Sequence, residues 1–479
     1  MTKERKEISR REFITRGASV AGAALLGTFP SIASCAKTDS RKPNVIFLFA
    51  DQMRNASLGC MGNTEVHTPN MDKLASQGLL FKNAISGYPL CSPYRAMLLT
   101  GRYGTSTGVV GNSVELPNTE ITIAKVLKEH GYKTGFIGKW HLEKNHNPFV
   151  PKERRLGFDY WASRNLGGSV FDDFYCTDTP EEIHYKGFET DIQTDLAINF
   201  IKNNAKSAFC LFVAWRPPHP PREVPQKYLD MFDPKKLTQR PNVPKGTDDR
   251  ENLRIYYAQI AALDYNLGRI TKTLDDLGIA DDTIVCFSSD HGDMLASHGL
   301  QGKNVPYEES INIPFIMRYP RKIKAGQKTD ILLNSVDVMP TLLGLCEVPI
   351  PKSVQGLDLS QTILGKSSKK PESVLLQRIV SVGGRKTTGE WRGVRTPCYT
   401  YARFRDKGYV LFDNMKDPYQ MNNLIDKSEA KGLREQMEAE LQKWLKRVGD
   451  DFAPTATYVK RFKAQMNKRL LRGLTDADE

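Results

Sequence analysis

Apolar residues occupy this chain in two ways: as short unbroken runs, and as longer stretches in which they recur every three or four positions. The first unbroken run is Val45-Ile46-Phe47-Leu48-Phe49-Ala50, and it stops at Asp51. A run apolar on successive residues predicts a strand buried on both faces, as in a parallel sheet. Comparable runs occupy 134–137, 208–214 and 283–287. Each gives way to a polar cluster: Gly138-Lys139-Trp140-His141, Trp215-Arg216-Pro217-Pro218-His219 and Ser288-Ser289-Asp290-His291. Segments 121–130, 192–203 and 253–277 lie between the runs and read as helices. Strands alternating with helices predict an α/β fold built on a large doubly wound sheet. The polar clusters then fall at the carboxyl ends of the strands, where open α/β sheets place their ligands.

Past about residue 370 the pattern changes. Pro349-Ile350-Pro351 and the polar stretch 366–371 read as linker. Strand-like pieces follow at 374–379, 391–395, 399–404 and 409–412, and then a helix over 430–448. These predict a small C-terminal antiparallel sheet packed by a helix. The basic, amphipathic tail 458–472 reads as a solvated surface helix. The expected division is a signal at 1–36, a catalytic α/β domain at 41–368, and an α+β subdomain with its tail at 369–479. No internal repeat is present.

The N-terminus reads as an address. Ser9-Arg10-Arg11-Glu12-Phe13-Ile14 resembles a twin-arginine export signal. The apolar run at 18–29 is about a dozen residues, too short to span a bilayer as a helix. Ile32-Ala33-Ser34-Cys35 resembles a lipobox with Cys35 as the lipid-bearing residue. The expectation is an exported periplasmic or cell-surface protein, held to a membrane only through that anchor. The formal net charge of +13 favours anionic partners. The charge does not say which: no nucleic-acid motif accompanies it, an anionic glycan is another possibility, and so is a solvated, diffusely basic surface. The eight cysteines stand singly at 35, 60, 91, 176, 210, 286, 346 and 398, with no C-x-x-C pair. That spacing indicates neither a zinc site nor a disulfide framework. Cys210 and Cys286 sit in apolar runs and read as core.

The segment Cys91-Ser92-Pro93-Tyr94-Arg95-Ala96-Met97-Leu98-Leu99-Thr100-Gly101-Arg102 carries the most chemistry. Pro93 suits the first turn of a helix, where its missing N–H would have no partner anyway. Residue 91 then lies at a helix N-terminus, which favours an anion, and Arg95 is one turn on. The Cys, the Pro two later, the Arg four later and the closing Thr-Gly-Arg resemble the signature of type I sulfatases, of the alkaline phosphatase superfamily. The resemblance implies that Cys91 is oxidised to formylglycine by an installing enzyme before folding finishes. The twin-arginine route, which carries folded cargo, agrees with that order. The aldehyde hydrates to a diol, and one hydroxyl becomes the nucleophile. A thiolate attacking sulfur would leave a thiosulfate ester with no internal route to release. A diol splits the hard step into two easier ones.

The resemblance covers nearly the whole chain after the signal, with the motifs in the family's order. It implies one divalent cation held by Asp51, Gln52, Asp290, His291 and the converted Cys91. Oxygen-rich ligation suits calcium, with manganese or magnesium as alternatives. Such a cation polarises the sulfate and acidifies the nucleophile. Gly138-Lys139-Trp140-His141-Leu142 looks like the family's Gly-Lys-Trp-His block, with Lys139 neutralising a sulfate oxygen and His141 taking the proton from the second diol hydroxyl. Arg95 would hold the diol. His219 and Lys303 resemble the pair on the leaving-group side. His219 is the expected general acid, because imidazole titrates near working pH. His298, eight residues after Asp290, is a further candidate for the pocket. Many family members carry two adjacent carboxylates where this chain has Asp51-Gln52. An Asp-Gln with Asp-His set also resembles formylglycine-dependent phosphonate monoester hydrolases and choline sulfatases. The expected function is a sulfuric-ester hydrolase acting on a sulfated carbohydrate or other small sulfate ester. The alternatives are a phosphonate monoester or phosphodiester hydrolase, and an inactive glycan-binding protein on the same fold.

Overall fold

A computed structural model describes residues 41–380, 389–467 and 471. The signal, Cys35 and the end of the basic tail lie outside them. The large sheet contains β1 (Asn44–Asp51), β2 (Leu79–Ile85), β3 (Lys133–Lys139), β4 (Tyr160–Arg164), β5 (Phe209–Pro218), β6 (Thr283–Ser289), β7 (Phe315–Arg318) and β8 (Gln327–Asn334). Their spatial order is β8-β2-β7-β6-β1-β5-β3-β4, and the short strand Asn312–Ile313 pairs with β2 as a ninth member. β1 runs parallel to both neighbours, β5 and β6. β7 is antiparallel to β6 and β2, so the sheet is mixed.

The unbroken apolar runs follow from this central position. Successive side chains of a strand point to opposite faces, and here both faces are covered. Val45, Phe47 and Phe49 enter one core; Ile46, Leu48 and Ala50 enter the other. The second core is closed by α1 (Pro69–Ser76), α3 (Glu189–Asn204) and α4 (Arg250–Asp276) through Met71, Phe200 and Leu263. The first is closed by α2 (Cys91–Thr100), α5 (Val338–Leu345) and α6 (Lys431–Val448) through Met97, Leu342 and Leu441. No helix among the described residues is long and apolar enough to cross a membrane.

The small sheet is antiparallel, in the order β9 (Val374–Arg378), β10 (Trp391–Arg395), β11 (Tyr399–Arg403) and β12 (Gly408–Asp413). Its alternation is just as clean. Leu375, Val394 and Leu411 face α6, whereas Leu376, Trp391 and Val410 meet Ile85 and Leu332 at the edge of the large sheet.

The tail forms a surface helix, as expected, but one side of it is seated rather than solvated. α7 (Thr455–Phe462) buries Tyr458, Met466 bridges to Val114, and the Gln465 amide donates to the carbonyls of Thr107 (2.9 Å) and Glu115 (3.0 Å). The basic charge that suggested a free surface hid this, because the seating depends on a few residues on one helix face. A buried ion pair fastens the same region. Arg392 donates to Asp450 at 2.5 and 3.1 Å, and Asp450 also accepts from Gln377 (2.7 Å) and the Tyr458 hydroxyl (2.5 Å). Removing one partner of a buried pair strands the other charge, at a cost of about 3–5 kcal/mol. Arg392→Met is therefore expected to lower unfolding stability by about that amount in a urea titration. A loss below about 1 kcal/mol, the size of an exposed pair, would show that water reaches the site.

Candidate active site

Three strand ends and one helix start converge on a single point. α2 begins at Cys91, with Leu90 extended before it and Gly101 closing it in the left-handed region at φ 63°. Residue 91 thus sits in the first turn, as the Pro93 spacing predicts. β1 ends in Asp51, β6 leads into Asp290 and His291, and β3 ends in Lys139. One ligand atom each from Asp51, Cys91, Asp290 and His291 lies within 4.8 Å of the others, and all four residues are buried. The His291 Nε2 is 3.2 Å from the Cys91 sulfur and 3.3 Å from an Asp290 oxygen.

Cations surround this centre. Lys139 donates to Asp51 Oδ2 at 2.6 Å and stands 3.9 Å from the Cys91 sulfur. Lys303 lies 3.6 Å from that sulfur and donates to Gln52 Oε1 at 2.6 Å. Arg95 is placed differently from expectation. Its guanidinium bonds Asp51 (3.1 Å), Asp290 (3.2 Å) and the Lys139 carbonyl, so it grips the carboxylates rather than residue 91.

Two glycines let the backbone approach this closely. A Cβ on Gly138 (φ 95°) would stand 2.3 Å from the Ala214 carbonyl oxygen, and one on Gly292 would stand 1.9 Å from that of Glu309. Gln52 and His141 occupy the left-handed region, at φ 77° and 60°. Side chains other than glycine hold that conformation only where their surroundings enforce it. His141 is enforced by its own amide, which donates to the Asn165 carbonyl (2.6 Å), and by its carbonyl, which accepts from the Ser92 hydroxyl (2.7 Å).

The electrostatics follow from burial. Burial would raise the Asp51 carboxyl, but Lys139, His219, Lys303 and Arg95 hold it well below the usual range. Asp290 is pushed up, by burial and by the Asp51 charge. Burial and Asp51 would raise the Cys91 thiol, yet Lys139, Lys303 and His291 bring it well below its ordinary value. His141 is driven down by burial and then by Lys139 and Arg95, so its imidazole is neutral; its Nδ1 is buried without a partner. His219, at the rim, is lowered to about 4, chiefly by desolvation. Its Nδ1 lies 2.7 Å from the Pro220 carbonyl. A neutral His219 that donates from Nδ1 keeps Nε2 as an acceptor.

The donor set fits a divalent cation. Two carboxylates and an imidazole are dry and adjacent, and one carboxyl is raised by the other's charge. A divalent ion relieves that repulsion, and hard oxygen ligands suit it. Gln52 borders the cluster, with its amide oxygen turned to Lys303. His298 is elsewhere: it stacks on Tyr307 at 4.4 Å and meets Asn242 at 3.1 Å.

Sequence reading missed Asp293. Fully buried, it accepts from the Gln52 amide (2.6 Å) and from the backbone of Leu295 (3.0 Å) and Gly302 (3.2 Å), and pairs with Arg222. It thereby fixes both Gln52 and the loop that leads to Lys303. The available signal was a third polar residue in Asp290-His291-Gly292-Asp293. Arg222, just past the prolines of the His219 loop, ties that loop to the same carboxylate.

The comparisons with known proteins agree with this arrangement. A family profile described as Sulfatase matches residues 43–348, and one described as N-sulphoglucosamine sulphohydrolase, C-terminal, matches 296–447. The chain is 37% identical over 431 residues to an ulvan-active sulfatase of Formosa agariphila, covering 88% of this chain and 84% of that protein. It is 31% identical over 476 residues to an endo-4-O-sulfatase of Bacteroides thetaiotaomicron, covering 85% of this chain and 92% of that protein. Among solved structures, BT4656 in complex with its substrate D-glucosamine-2-N,6-O-disulfate superposes with a TM-score of 0.78 at 25% identity, covering 86% of this chain and 99% of that one. The chain belongs to the sulfatase family, the formylglycine-dependent sulfuric-ester hydrolases of the alkaline phosphatase superfamily.

Proposed function

We propose that this protein is an exported, lipid-anchored carbohydrate sulfatase that hydrolyses sulfate esters of an anionic glycan with calcium as its metal. The observation that carries the reading is Cys91 in the first turn of α2, between a dry carboxylate–imidazole set and two lysines. The relatives' names supply the carbohydrate class: an ulvan-active sulfatase, and an enzyme solved with a disulfated glucosamine. The Ser9–Ile14 signal and the Cys35 lipobox supply the export and the anchor, and an installing enzyme is the partner during biosynthesis.

Family membership implies that residue 91 is formylglycine and that a divalent metal is bound. The metal supplies charge to polarise the sulfate and acidify the nucleophile. Asp51, Gln52, Asp290 and His291 are the residues that would hold it. Arg95 keeps the two carboxylates apart and aligned, which makes it a positioning residue. Lys139 and Lys303 flank residue 91 and neutralise sulfate oxygens. His141, held neutral, is free to accept a proton when sulfate is expelled. His219 donates one to the departing sugar oxygen. It is neutral in the free enzyme, and a bound sulfate ester, being negative, favours its protonated form.

Cys91→Ala is expected to abolish turnover while leaving the far-ultraviolet circular dichroism unchanged; retained activity would remove formylglycine from the mechanism. His219→Ala should impair sugar esters about tenfold or more beyond aryl sulfates, because a phenolate leaves without protonation. Equal losses on both would refute its acid role. The pH dependence has a definite sign. His219 must be protonated to act, and the free enzyme loses that proton above about pH 4. The descending limb of kcat on sugar esters should therefore lie at higher pH than that of kcat/KM. Coincident limbs would mean that bound substrate does not load the acid. Exhaustive chelation should stop sulfate release, and calcium should restore it. Restoration by manganese alone, with turnover of phosphonate or phosphate diesters, would overturn both the metal and the substrate class.

A further inference from the structure

A second cavity of about 620 Å³ lies where the loops of the small sheet meet the edge of the large one, and Cys91 is not among the residues that line it. Its floor contains Arg54, only 3% exposed. The Arg54 Nε reaches the Ser57 hydroxyl at 3.3 Å, but its Nη1 is buried with no hydrogen-bond partner. The other cations around the cavity are each matched by a carboxylate: Lys82 by Asp330 (2.9 Å), Arg240 by Glu309 (2.9 Å) and Arg395 by Glu308 (2.7 Å). Arg54 has no ion pair among the described residues. The cavity lining therefore keeps one uncompensated positive charge, on a nearly dry guanidinium. A buried charge in that state is costly unless something pairs with it.

The rest of the lining says what that partner carries. A bare oxyanion would fill a small part of the volume, which lies in the range of small-molecule sites. Beside Arg54, Asn55 is 4% exposed and its Oδ1 is buried without a donor, an acceptor suited to a hydroxyl. Met61, Pro397 and Met415 add apolar surface for C–H faces. We propose that this cavity is a non-catalytic binding site for an anionic saccharide unit, with the Arg54 guanidinium taking its carboxylate or sulfate oxyanion and Asn55 taking a ring hydroxyl. Such a site would hold a glycan by a unit other than the one being desulfated. It goes beyond the catalytic reading, and its choice of a saccharide rests on that reading's carbohydrate class.

The test uses the mature protein labelled with [13C-methyl]methionine, because Met61 and Met415 report from inside the cavity. The probes are methyl β-glucuronide, which carries no sulfate ester, its neutral counterpart methyl β-glucoside, and inorganic sulfate. The glucuronide is expected to shift both methyl signals saturably. The glucoside and sulfate alone should bind about tenfold or more weakly, as should glucuronide with Arg54→Met, since each loses a charge-assisted bond or the sugar contacts. If Arg54→Met does not fold, Met415→Trp narrows the cavity from an exposed position and should weaken binding read at Met61. Turnover of an aryl sulfate should be unchanged in Met415→Trp. Absent shifts, glucoside binding as tight as glucuronide, or indifference to these substitutions would overturn the proposal. Inorganic sulfate binding as tightly as glucuronide would overturn its saccharide part.

Discussion

Two carboxylates that water cannot reach set the terms for everything around them. Asp51 and Asp290 are each fully buried at the ends of adjacent parallel strands. Their mutual repulsion in a poorly polarisable interior must be met by fixed positive charge. Arg95 meets it from below, touching both, and Lys139 meets it from the side. This pairing dictates the local chain path. α2 must start where its fifth residue reaches under the strand ends, which brings residue 91 beside the carboxylates. β3 must end in a tight glycine-led turn, because Lys139 has to arrive while the backbone passes against Ala214. The reactive position is thus placed by the same contacts that make the buried charges tolerable.

The large sheet was legible because its constraint is local and repetitive. Burial on both faces writes itself into every residue of β1 and β5, and no partner need be known to read it. The small sheet was legible for a related reason: one face meets a helix and the other meets the sheet edge, so apolar residues recur in every strand. The helix starting at Cys91 could be read from Pro93 and from the family signature. What the sequence did not disclose were pairings between distant residues. That Arg95 holds carboxylates, and that Asp293 joins Gln52 to Arg222, depends on which loops the fold brings together. The tail was read in part, for the opposite reason. Its many lysines and arginines describe what faces water, while its seating rests on a few residues, Tyr458, Val459, Phe462, Gln465 and Met466 among them.

The charge pattern of the two cavities differs in kind. At the catalytic centre, cations outnumber what the carboxylates require, and the excess faces the residue that reacts. In the second cavity, three ion pairs cancel and a single buried guanidinium is left over. The overall charge of +13 describes neither arrangement. Local imbalance, set by which side chains lose their water, is the quantity that selects a ligand.

Cys91 is only 1% exposed once the chain has folded. No macromolecule can grip a side chain so enclosed. Any conversion of it must therefore precede the packing of α2 against the sheet. Where conversion was incomplete, a preparation of this protein would be a mixture of converted and unconverted chains. A chain that folded unconverted would keep its thiol out of reach of a converting enzyme supplied later. Specific activity in such a preparation records the history of its synthesis as much as the quality of its active site.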